Sequence, residues 1–96
     1  MSGGHFQYDQ YRIGQIADEI LHVIENNNSV GYNFDPKVIE QFKKAVVALR
    51  IAEIYAQRID WLLSGDDGEE SFLRRLKEDL KKNKERLKED LEISDN

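Results

Sequence analysis

One stretch, from Pro36 to about Ser64, restricts the folds open to this chain more than any other. Within it Val38, Phe42, Ala45, Leu49, Ala52, Ala56, Ile59 and Leu63 alternate spacings of four and three. That is a heptad seam along one helix, and alanines at its middle let another helix approach closely. A second set, Val47, Ile51, Ile54, Arg58 and Trp61, has similar spacing and lies on roughly the opposite side. A helix apolar on two opposite sides needs burial on both. The ends are well marked. Asp35 can cap orphan amides, Pro36 suits the first helical position, and Gly65 suits the left-handed position after the last turn.

Two further helices flank this one. Ile13, Ile16, Ala17, Ile20 and Ile24 form one stripe from about Asp9 onward, and the run Asn26-Asn27-Asn28-Ser29 ends it. The connection from Val30 to Phe34 holds Tyr32 and Phe34, which suggests a loop pinned to the core. After Gly65, Asp67-Gly68-Glu69-Glu70 reads as a capping box with Asp67 at the cap. Phe72, Leu73, Leu76, Leu80, Leu87 and Leu91 then form the third stripe, with Asn83 where an apolar residue is missing. Beyond Leu80 the stripe thins among alternating charges, so the helix end is expected to project into solvent or fray, with Ser94-Asp95-Asn96 disordered. The expected organisation is an N-terminal leader over 1–8, a helical domain over 9–82 and a charged helix end or tail over 83–96.

The expected fold is therefore all-α: a three-helix bundle with a long central helix. Two arrangements satisfy the two-sided helix. The outer helices sandwich it, or one of its faces pairs with its copy in another subunit. The alanine-rich seam favours the second, so the helices are expected to be shared in a homo-oligomer. A chain of 96 residues is one domain at most, and a core this small gains from being shared.

Several function classes fall away. The formal net charge is -5, so a basic surface for double-stranded nucleic acid is not expected. No apolar run is long enough to span a membrane, and no secretory signal is present. There is no cysteine, which removes thiolate nucleophiles, thiolate metal sites and disulfides, and fits a cytoplasmic setting. The only histidines are His5 and His22, and no serine lies in a nucleophile motif. Glu19-x-x-His22 has the spacing of a carboxylate–histidine metal pair, with Glu53 as a further candidate ligand, but residues 19 and 22 fall outside the apolar stripe. The glycine- and aspartate-rich segment 64–70 lacks calcium-loop spacing. No catalytic residue, metal or cofactor is expected. The basic residues of the third helix, from Arg74 to Lys88, alternate with Glu78, Asp79, Glu85, Glu89 and Asp90, as in a solvated face.

Two clusters remain. His5, Phe6, Tyr8, Tyr11 and Arg12 gather aromatic rings, an imidazole and a guanidinium beside Gly3-Gly4. Aromatic faces stack nucleobases and Arg clamps phosphate or carboxylate, so these five are the candidate small-ligand site. Ile54, Arg58 and Trp61 are the candidate protein interface, because Trp and Arg are enriched where proteins bind each other.

The opening Met1-Ser2-Gly3-Gly4-His5-Phe6, with Tyr8 and Tyr11-Arg12-Ile13, resembles a family of short proteins from phages, prophages and bacteria. Asp60-Trp61-Leu62-Leu63-Ser64-Gly65-Asp66-Asp67-Gly68-Glu69-Glu70-Ser71-Phe72 resembles it as well. The likeness covers about residues 1 to 80 and brings no activity with it. It implies a phage or prophage origin. Small helical phage proteins without catalytic residues commonly act by binding, so the expectation is a counter-defence factor that sequesters a cyclic or adenine-containing nucleotide signal in a pocket between subunits. The alternative is a module that inhibits or adapts a host protein through Ile54, Arg58 and Trp61.

Overall fold

The computed structural model describes residues 6, 8–29 and 31–91. They form three helices, α1 (Gln10–Glu25), α2 (Pro36–Leu63) and α3 (Glu69–Leu91), packed as a bundle. α2 starts where Asp35 accepts the Lys37 N–H (2.8 Å) and Pro36 takes the first turn. It ends where Gly65, at φ 84°, leaves the helix. At 1.5 Å per residue α2 is about 42 Å long, which sets the long dimension of a flat 46 × 31 × 15 Å molecule.

The α1–α2 turn is held by side chains. Asn27 accepts the Phe34 N–H (2.8 Å) and donates to the Phe34 carbonyl (3.1 Å), while Asn28 (φ 68°) and Gly31 (φ 91°) make the reversal. Phe34 then packs its ring 6.2 Å from Tyr32 and 5.5 Å from Phe42. The loop is pinned, as its two aromatics suggested.

Both outer helices pack on α2, and the α1 and α3 backbones do not approach each other closely. α1 turns in most of its apolar stripe, with Ala17 buried and Ile20 and Ile24 on the core, but the inward side is shifted toward Gly14. Gln10, Gly14 and Ala17 are its buried residues, while Ile16 stays half exposed. Close approach explains this. A Cβ on Gly14 would meet the Glu53 carboxylate, so with any larger residue there that side chain would have to swing aside. Arg50 binds Asp18 and reaches the Gly14 carbonyl (3.4 Å), so the α1–α2 contact is largely polar. α3 covers part of the second apolar set of α2, leaving Ile51 and Trp61 exposed, and there Arg58 Nε donates to Asp79 Oδ2 at 2.6 Å. No residue of the alanine-rich seam is fully buried among the described residues, and Val38, Ala52 and Leu63 are exposed.

Two local expectations are corrected. The α3 start is not capped by Asp67. Gly68 is the last residue before the helix, and Ser71 reaches back so that its Oγ accepts the Gly68 N–H at 3.2 Å, while Asp67 binds the Ser71 hydroxyl. A serine side chain is short enough to fold back within one turn, and Glu70 is not needed. Nor does the end of α3 project into solvent. Leu87 and Leu91 are buried with Val46, and Ile20, Leu21, Ile24 and Val47 pack around them. Two leucines four apart, on one side of a helix otherwise charged, are enough to hold its last turns. Residues 94–96 lie outside the described part of the chain.

Candidate functional site

Between α1 and α3 a trough runs along α2. At one end Tyr11, Glu53, Ile54, Gln57, Arg58, Trp61 and Asp79 enclose about 240 Å³. At the other, Arg50, Glu53, Ile54, Asp79, Lys82, Asn83 and Arg86 line a further 280 Å³ or so. Glu53, Ile54 and Asp79 belong to both, so the two volumes are one open groove.

The aromatic end is built by the leader and α2. Gln10 is buried and its amide donates to Gln57 Oε1 (2.9 Å) and Asp60 Oδ2 (3.5 Å). Asp60 is 2% exposed and accepts the Phe6 backbone N–H at 2.7 Å. This anchor fixes the chain just ahead of α1. Tyr8 is then forced to φ 68°, a left-handed conformation rare for a bulky residue. The kink stacks its ring on Tyr11, with centroids 5.8 Å apart. Both rings stay exposed, Tyr8 at 57% and Tyr11 at 46%.

Across the groove Arg58 is fixed in two ways. Its Nε is committed to Asp79 and its guanidinium lies 4.7 Å over the Trp61 ring. Stacking on an indole and bonding through Nε leave the two terminal nitrogens turned to the outside of the pair. The other end sets Arg50, Lys82 and Arg86 against Glu53, Asp79 and Asp90, with Arg86 paired loosely with Asp90 at 3.6 Å.

The two sequence clusters therefore meet. Tyr11 of the small-ligand set and Ile54, Arg58 and Trp61 of the protein-interface set share one groove, with Tyr8 stacked on Tyr11. Phe6 serves as the anchor. Arg12 follows Tyr11 by roughly 100° around α1, and it is exposed and does not line the groove. His5 lies outside the described residues. Glu19 and His22 are exposed on α1 and do not converge with Glu53. Sequence reasoning missed Gln10, Asp60, Asp79, Lys82 and Arg86. Only Asn83, a polar residue in the α3 stripe, hinted that this side of α3 faces something other than core. Compared with known proteins, the chain matches no family model, no curated protein and no solved structure.

Proposed function

We propose that the protein is a non-catalytic binding protein that works as a homo-oligomer and sequesters a nucleotide signal, as a phage counter-defence factor would. The observation that carries this reading is the convergence of Tyr8, Tyr11, Trp61 and Arg58 at one end of a groove whose other end holds Lys82 and Arg86. Exposed rings stack a purine at about 1–3 kcal/mol per base. Guanidinium and ammonium groups a few residues away suit its phosphates. A cyclic adenine dinucleotide has both features.

Isothermal titration with cyclic di-AMP, and with AMP for comparison, tests this. Saturable binding of the cyclic compound is expected, weakened roughly tenfold or more by Tyr11→Ala and by Arg58→Ala, and changed little by Arg12→Ala. Absence of binding to cyclic di- and trinucleotides overturns the reading. The second reading, a module that grips a host protein through Ile54, Arg58 and Trp61, is favoured by the exposure of Trp61. Since Trp61 lines the same groove as Tyr11, Trp61→Ala weakens both kinds of partner. Native mass spectrometry of the gently purified protein separates them: an added mass of small-molecule size supports the first, a host polypeptide the second.

A further inference from the structure

Gln57 is half-buried and lines the aromatic end of the groove beside Tyr11, Arg58 and Trp61. Its Oε1 accepts from Gln10 Nε2 at 2.9 Å, while its own Nε2 makes no hydrogen bond among the described residues. On the nucleotide reading above, on which this step rests, we infer that Gln57 reads the base and selects adenine. Gln10 and Asp60 are positioning residues that hold its amide the right way round.

The orientation is set from Asp60 outward. A side-chain amide has an oxygen and a nitrogen of similar shape, and its partners decide which points where. A carboxylate accepts and does not donate. Asp60 is 2% exposed, with Oδ1 taking the Phe6 N–H and Oδ2 facing Gln10 Nε2 at 3.5 Å. Gln10, also 2% exposed, turns its NH2 to that side although its Oε1 is left buried with no hydrogen bond among the described residues. Turned over, it would set that oxygen against the carboxylate. The same nitrogen donates to Gln57, so Gln57 presents oxygen to Gln10. Turned over in its turn, Gln57 would set NH2 against NH2. One buried carboxylate thus fixes two amides in series, the second of them on the groove wall.

An amide held in this way offers a base the Nε2 hydrogens and the second lone pair of Oε1 side by side. Adenine answers with its amino group as donor and a ring nitrogen as acceptor, the pairing by which Gln reads adenine. Adenine has that pair on both sides of the amino group, at N7 and at N1. Guanine carries two acceptors, O6 and N7, along the first edge. Along the second it exchanges the roles, with O6 where adenine has its amino group and N1–H where adenine has a bare nitrogen. An amide free to turn over would serve both purines in one stacked pose, whereas the fixed one serves adenine. Stacking on Tyr11 and Trp61 is tolerant of base identity, so the choice falls to Gln57.

Isothermal titration of the full chain with cyclic di-AMP and with cyclic di-GMP, in the wild type, Gln57→Leu and Gln10→Met, tests this, with circular dichroism checking helicity. The readout is the ratio of the two affinities, since a merely structural loss weakens both nucleotides alike. A bidentate pair discriminates between bases by roughly tenfold or more, so the wild type is expected to prefer cyclic di-AMP by about that factor. Gln57→Leu is expected to bind both about equally. Gln10→Met frees the Gln57 amide without altering the groove wall, and is expected to lower the ratio by raising the affinity for cyclic di-GMP. Equal wild-type affinities, or an unchanged preference in Gln57→Leu, overturn the role of Gln57 and leave the nucleotide reading standing. An unchanged ratio in a folded Gln10→Met overturns the positioning by Gln10 and Asp60. If Gln10→Met does not fold, Gln57→Leu decides alone. If the wild type binds neither nucleotide, base selection falls together with the nucleotide reading.

Discussion

Tyr8 is held at φ 68°, where a side chain beyond Gly, Asn or Asp costs about 1–2 kcal/mol. The structure sustains this because Asp60, buried beneath the leader, fixes Phe6 and Gln10 on either side of it. Replacing Tyr8 by Gly removes the strain and the ring together, while Ala removes the ring alone. Tyr8→Gly is expected to be more stable than Tyr8→Ala by about 1 kcal/mol in urea unfolding, with nucleotide binding weakened equally in both. Equal stabilities would mean that the turn relaxes out of the left-handed region in solution. The anchor itself belongs to the same scale. Asp60→Ala leaves a part-buried N–H and a buried amide without their acceptor, which costs about 1–3 kcal/mol. Hydrogen exchange would show it locally, through loss of protection at the Phe6 amide, as well as globally.

At the scale of elements α3 tests what a stripe means. Leu87 and Leu91 close the end of the core against Val46, so Leu87→Ala is expected to destabilise the protein by about 2–4 kcal/mol. A solvated helix end would tolerate the change with almost no loss, and a chemical denaturation midpoint decides between the two. The three helices, their order and their caps at Asp35 and Gly65 were legible in sequence, because strong periodicity and unambiguous turn residues agree there. The α3 end was not, since two leucines among charges look alike whether they face solvent or a neighbouring Val46. The inward side of α1 was legible through Ala17, Ile20 and Ile24, and its shift toward Gly14 was not, for a different reason. Periodicity sees Ile13, Ile16 and Ile20, but contact geometry is decided by Gly14, whose missing side chain leaves room for Glu53. The groove was half legible. Tyr11, Arg58 and Trp61 announce themselves by type, whereas Asp79 and Gln10 act as supports, and nothing in their own surroundings in the sequence marks a support.

The whole molecule is flattened, 15 Å through its shortest dimension, and its two broad sides differ. One carries the groove with its ion pairs, Arg50 to Asp18 and Arg58 to Asp79. The other carries the seam. A body with four buried apolar residues among those described has a small core of its own, and the proposed oligomer would add to it by covering the second side. Stability should then depend on protein concentration. For a dimer that unfolds to two chains, each tenfold dilution removes about 1.4 kcal/mol, which for a unit of this combined size lowers the Tm by roughly 3–5 °C. Thermal melts of the wild type at several concentrations are expected to show that slope, and Ala52→Glu melts should be lower and flat. A wild-type Tm independent of concentration would mean that three helices with an open apolar side are stable alone. The seam would then have to be explained by a partner other than this chain.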